Sequence, residues 1–429
     1  MSRRVVITGA GAVTGFGPGL DPLFEALLEG RSSIAPMTRV SPGGFPCQLA
    51  SEAKDFKVRD FVPKSYRKTV KVMARDVELA VGAAIEAVRS AGLTTKATSD
   101  DENADVTYPP GRVGCHIGAG LIAAEVNELA YAMVTSLDEA GAFSYDAWGE
   151  KGMGNLTPLW LLKYLPNMLS CHVTIMHDAQ GPSNTITCSE ASGVLSLGES
   201  LRVIQRDDAD MCFSGSAESK LNHTGLARMQ LAESLAEIAI DDFDADNPAA
   251  FYKPYTDDAR GSVPGEAGGI LILEELASAE ARGAVPLAEL VGFGAGHSPA
   301  SDDAKERGRG LASAIRGALR DAKLEPSQID AIVPHAPSIQ RLDAEERAAF
   351  ESVFGNDLGR IPLVPLVHAI GETMAGCGSV ACAVAAKMLG TQRTPARTIG
   401  GTPGGRLEHI LVCTNSDVGQ NAALILKQA

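Results

Sequence analysis

The chain has 429 residues, 45 % apolar and 21 % charged, which is enough to bury a large core without disulfides or metals. Its 38 basic and 53 acidic residues leave a formal charge of −15, which argues against a general nucleic-acid binder or a protein held on an anionic membrane. No run of 18 apolar residues suggests a membrane span, and the eight scattered cysteines, with no CxxC, read as reduced thiols of a cytoplasmic protein.

In chain order, Val5–Thr8 reads as a buried strand. The glycines at 9, 11, 15 and 17 break the apolar stretch too early for a signal peptide. The segment ITGAGAVTGFG, Ile7–Gly17, suggests a phosphate-binding turn. However, its spacing misses GxGxxG, and no acidic strand end follows to hold a ribose. A tight strand-to-loop turn is the simpler reading. Val70, Met73, Val77, Val81, Ile85 and Val88 mark one helix face, with Gly92 placed to end it. Ser99–Pro110 carries four acids and two prolines and reads as a solvated loop. Further buried strands are expected at Arg112–Ile117, Ala209–Ser214, Ile270–Glu274, Pro286–Gly292, Ile329–Pro334, His409–Thr414 and Ala422–Leu426. Leu311, Ile315, Leu319 and Ala322 mark a second amphipathic helix. Alternating strands and helices imply a layered α/β architecture.

An internal echo points to duplication. AIEAVRSAGL (Ala84–Leu93) and AIRGALRDAKL (Ala314–Leu324) each precede an apolar strand, VGCHIGAG and IDAIVPHAP. Small-residue turns open helices near Glu190–Gly198 and Gly371–Ala381, and each leads to a second strand, ADMCFSG and HILVCTN.

Three segments carry candidate chemistry. GPSNTITCSEASG (Gly181–Gly193) is a turn, a short β-branched strand and a small-residue helix start, the layout of a nucleophile elbow. VPHAPSIQRLDAEE (Val333–Glu346) sets His335 at the C-terminal end of a strand. HAIGETMAGCGSVA (His368–Ala381) sets Glu372 in a glycine-rich turn.

In order and flanks these segments resemble the β-ketoacyl-acyl-carrier-protein synthases, condensing enzymes of the thiolase-like fold. RRVVITGAGAVTGFG, LLKYLPNMLSCHVTIMHDAQGPSNTIT, DADMCFSGSAES, YTDDARGSVPGEAGGILILEELASAEARGA and IDAIVPHAP…LDAEE carry the resemblance nearly end to end. It implies an α/β thiolase-like fold of duplicated halves in five layers. The halves are expected over 1–250, with the elbow, and 251–429, with the His335 and Glu372 loops. It also implies a dimer paired through the strand after GPSNTIT, whose β-branched face needs burial.

Carried over position by position, the resemblance gives an altered site. Glu190 stands where the family has its nucleophilic cysteine, and His335 matches the first active-site histidine. Glu372 stands for the second histidine and Val367 for a lysine, and NSDVGQNAA lacks the gating phenylalanine. A carboxylate in the thiolate's place gives only a reactive anhydride, and a second one repels an enolate. The expected function is therefore a non-condensing partner subunit of fatty-acid or polyketide assembly, like a chain-length factor. Its expected partners are an acyl carrier protein and an intact synthase or its own copy, with no cofactor and no resident metal. One alternative makes Glu190, His335 and Glu372 an acid–base or metal set. A register slip that promotes Cys188 would restore a working synthase. A nicotinamide dehydrogenase built on Ile7–Gly17 is the distant alternative.

Overall fold

The computed structural model describes residues 3–99, 105–401 and 404–429. Its core strands are β1 (Val5–Thr14), β2 (Val113–Ala119), β3 (Ser183–Ile186), β4 (Met211–Ser219) and β5 (Glu266–Glu275), then β6 (Ala288–His297), β7 (Ala331–Val333), β8 (Pro362–Leu363), β9 (His409–Asn415) and β10 (Gln420–Lys427). The first five lie in the order β3-β2-β4-β5-β1 and the second five in the order β8-β7-β9-β10-β6. In chain numbering within each set, both orders are third, second, fourth, fifth, first. The strand directions repeat too: first to fifth and fifth to fourth are antiparallel, fourth to second and second to third parallel. The two sets join where Val5–Ile7 of β1 pairs with Leu290–Ala288 of β6.

The helices repeat in step. α1 (Arg75–Ser90), α2 (Met168–His177) and α3 (Ser192–Gln205) fall between the strands of the first set, and α4 (Ala304–Ala322), α5 (Gln340–Phe354) and α6 (Gly376–Thr391) between those of the second. Three clusters of buried residues define the layers. One packs α1 and α2 on the first set, one packs α4 and α5 on the second, and the third fills the space around α3 and α6 between the sets. This is the five-layered thiolase-like arrangement of two duplicated α/β units. The middle helices approach closely: a Cβ on Gly193 would lie 2.8 Å from the Ser379 nitrogen, and one on Gly378 2.8 Å from Val194.

Local expectations were revised in four places. β1 runs through Gly9 and Gly11 to Thr14 instead of turning at Gly9. Those glycines admit the α1 backbone, since a Cβ at Gly11 would sit 2.1 Å from the Ala83 carbonyl oxygen. The segment is a buried strand packed on a helix and not an open glycine turn at a helix N-terminus, which counts against the dehydrogenase alternative. β5 belongs to the first unit, so a division near 250 falls before that unit's last strand. We place the division in the 282–287 connection. Of the acidic stretch from Ser99, residues 100–104 lie outside the described residues, while Tyr108 donates its hydroxyl proton to buried Glu274 and ties that segment down. α1 starts at Arg75, later than Val70, and Gly92 ends it with φ +64°. Among the described residues no helix is long and apolar enough to cross a membrane.

Candidate active site

β3 hands the chain to α3 through a tight elbow. Ser189 holds φ +49°, an uncommon conformation for a residue with a side chain. Ser192 locks the turn: its Oγ accepts from the Cys188 amide at 2.8 Å and donates to the Ser189 carbonyl at 2.6 Å. The next residue into the interior is Glu190. It is 4 % exposed, and its Oε2 has no hydrogen-bond partner among the described residues. Cys188 packs against the middle core and is not among the residues that line the pocket.

His335 follows β7 on a loop braced from α5. Glu346 Oε1 and Oε2 accept from the backbone amides of His335 and Ala336, each at 2.9 Å, and the Tyr255 hydroxyl donates to Oε2 at 2.7 Å. Asp343 accepts from the Ser338 and Tyr255 amides at 3.2 and 3.1 Å. These carboxylates stabilise a loop in which Ala336 and Ser338 both have positive φ. Ring atom Nδ1 of His335 lies 3.2 Å from the Asn415 side-chain oxygen at the end of β9. That amide is oriented by its own Nδ2, which donates to the Leu342 carbonyl at 3.0 Å.

Glu372 is set by the turn between the short helix Val367–Ile370 and α6. Its amide donates to Val263 at 2.8 Å, and its Oε1 accepts from the Met374 amide at 2.7 Å. Oε2 then faces His335 Nε2 at 2.8 Å, with both side chains buried.

The three residues named from the sequence thus line one pocket of about 220 Å³, with Glu218, Lys220, Arg228, Met229, Leu342 and Val418 among its other walls. Lys220 is buried at its side, paired with Glu218 and donating to the Leu121 carbonyl at 2.9 Å. In place of a phenylalanine gate, Asp417 and exposed Val418 stand at the rim, and Arg341 pairs with Asp417. Val367 is buried against a small cavity behind His335 and brings no cation.

Electrostatics follow from burial and proximity. Burial pushes the Glu190 carboxyl up to about 7, helped by Glu372 and opposed by His335. Burial disfavours an imidazolium at His335, but Glu372, by charge and hydrogen bond, and then Glu190 and Glu346 outweigh it and raise the pKa to about 10. Burial lowers Lys220 to about 8. The pocket therefore offers a protonatable carboxyl facing space and an imidazolium–carboxylate pair. This is suited to moving or holding a proton.

Sequence reading missed several participants. Glu346 and Asp343 lay inside the quoted LDAEE, and their spacing on one helix face after the histidine strand was the available signal. Asn415 opens the gating segment. Cys377 lay inside the quoted HAIGETMAGCGSVA, five residues after Glu372, and Lys220 directly follows the quoted DADMCFSGSAES, but only the fold brings Lys220 to the pocket wall and Cys377 to the cavity behind His335.

Two family models cover the chain: the N-terminal domain of β-ketoacyl synthase over residues 2–279 and the C-terminal domain over 287–399. A 3-oxoacyl-[acyl-carrier-protein] synthase 2 from Synechocystis is 30 % identical over 399 residues, covering 92 % of this chain and 87 % of that protein. One from Staphylococcus aureus is 29 % identical over 380 residues, covering 88 % and 84 %. Among solved structures, the ishigamide ketosynthase/chain length factor matches with a TM-score of 0.79 at 25 % identity over the full length of both chains. By these domain matches, and by the repeated strand order that carries them, the chain belongs to the β-ketoacyl synthase family.

Proposed function

We propose that this protein is a non-condensing partner subunit of fatty-acid or polyketide assembly, acting as a chain-length factor does. The observation that carries it is Glu190, buried at the elbow where the family's nucleophile would stand, with Glu372 in the place of an enolate-stabilising imidazole. A carboxylate there holds no stable acyl thioester. Two acidic groups beside His335 disfavour the developing negative charge of decarboxylation. The relatives' names supply the substrate class, acyl-carrier-protein thioesters, and the ketosynthase/chain-length-factor structure supports the partner role. We take the compartment to be cytoplasmic.

Intact-protein mass spectrometry after incubation with acyl- and malonyl-carrier thioesters tests the proposal. The wild type is expected to stay unmodified, and a stable adduct on Cys188 or any other residue overturns it. The Glu190→Cys, Glu372→His double variant is expected to take an acyl group. With Val367 still in the lysine's place, its decarboxylation should remain roughly 10²-fold or more below that of an intact synthase.

A second reading rests on the carboxyl of Glu190, unpartnered and raised to about 7. It makes the pocket an acid–base site acting on a carrier-bound chain without acyl transfer to the protein. Conversion of a β-ketoacyl thioester, abolished by Glu190→Gln, would favour this reading.

A further inference from the structure

We propose that the pocket is a zinc site formed by His335 Nε2, Glu372 Oε2, the thiol sulfur of Cys377 and the free Oε2 of Glu190. The first three ligand atoms all lie within 4.8 Å of one another, and the Glu190 carboxylate, which stands outside that group, must swing in to complete it. Zinc's usual bond lengths put tetrahedral ligands about 3.3–3.8 Å apart. The histidine–glutamate contact must therefore open by a fraction of an ångström and the sulfur draw in. Cys377 is the second residue of α6, and its thiol rests 3.6 Å from the Glu190 carbonyl, so it abuts the fourth ligand's own residue. Glu190 Oε2 is buried and has no hydrogen-bond partner among the described residues. A cation gives that atom one.

The supporting shell is already built. Nδ1–H of His335 can donate to Asn415, which leaves Nε2 with its lone pair towards the cluster, the orientation outer-shell carbonyls impose on metal-bound histidines. Glu372 is anchored through Oε1 by the Met374 amide, leaving Oε2 as the ligand. One soft sulfur, one imidazole and two carboxylates select zinc over magnesium or calcium. On binding, the Cys377 S–H proton and the Nε2 proton of His335 pass to solvent, and two metal bonds replace them. The thiolate and the two carboxylates leave one negative charge in excess of the metal's two, and the Lys220–Glu218 ion pair lies at the same wall. The pocket reaches the rim at Val418, which gives an entry path. The inference stands apart from the non-condensing reading, since metal content can fail with acylation unaffected.

The test uses untagged, full-length protein purified without chelators. Elemental analysis is expected to find zinc stoichiometric with the chain. After zinc removal, cobalt(II) alone should give a tetrahedral spectrum with a thiolate-to-cobalt charge-transfer band. Cys377→Ser should lose that band and, with Glu190→Gln, weaken zinc in a competition titration by at least the 10–100-fold typical of losing even an outer-shell contact. Thermal melts confirm that each variant is folded. Trace zinc with no charge-transfer band overturns the proposal, as does full zinc binding retained in both variants.

Discussion

His335 Nε2 and Glu372 Oε2 meet at 2.8 Å in the interior, an imidazole facing a carboxylate with both side chains buried. With its pKa raised to about 10, His335 is charged at neutral pH in the metal-free protein. The resulting stability is fully present below the ordinary histidine value near 6.5 and is lost as pH rises through about 10. Glu372→Gln leaves a buried imidazole without its counter-charge and should cost about 3–5 kcal/mol near pH 6. Urea unfolding of the two proteins across this pH range is the check. The difference should shrink steadily towards pH 10, and a pH-independent difference would show that the pair is neutral.

Glu190 titrates with the opposite consequence. A carboxyl raised from 4.5 to about 7 costs nothing below pH 4.5, progressively more up to 7, and its full amount above that. Glu190→Gln should therefore gain stability relative to the wild type as pH rises, by about 3 kcal/mol between acid and neutral conditions. Chelator-treated protein must be used, because a bound cation would hold the carboxylate ionised.

Glu346 should matter more to the fold than its place outside the pocket suggests. Glu346→Ala strips the acceptor from the buried His335 and Ala336 amides and from the Tyr255 hydroxyl. At about 1–3 kcal/mol for each unpaired buried group, the loss should be on the order of 4 kcal/mol. Glu346→Gln, which keeps one oxygen acceptor, should recover much of it. Urea midpoints for both variants measure this directly.

The legibility of this chain was uneven for physical reasons. The two helix–strand echoes are α1 before β2 and α4 before β7, so periodicity and repetition revealed the duplication before any contact was known. Glycine misled at the start. Gly9 and Gly11 look like a turn because loops and close backbone approaches both require a missing Cβ, and only the position of α1 separates them. Glu190, His335 and Glu372 were legible because the family resemblance assigns their positions; the small-residue turns alone marked only the segments they sit in. Lys220 and Cys377 lie in or beside quoted segments, but their parts were not legible, because the role of a buried lysine or cysteine is set by its neighbours in space. Lys220 meets Leu121, and Cys377 meets Glu190, 187 positions earlier.

The last prediction concerns assembly. β3 ends its row of strands, so its outer edge is unpaired among the described residues, and Ser183 and Asn184 on it are exposed. α2 flanks it, joined by the Ser170–Thr185 hydroxyl contact at 2.7 Å, and presents Ile175 63 % exposed. Tyr131, Val134, Leu159 and Leu161, also exposed, come from the neighbouring 121–164 segment. An open strand edge beside exposed apolar groups is normally covered. A two-fold axis along the edge strand covers both at once, because each chain supplies the surface the other needs. We therefore expect twice the chain mass in sedimentation at micromolar concentration, either alone or with an intact synthase of the same fold. The double variant Ile175→Asp, Leu161→Asp should run as a monomer. Both positions are exposed, so its stability should stay within about 0.5 kcal/mol of a matched surface control. A wild type that sediments as a monomer in both settings would mean that this edge is not an interface, and would remove the partner-subunit reading with it.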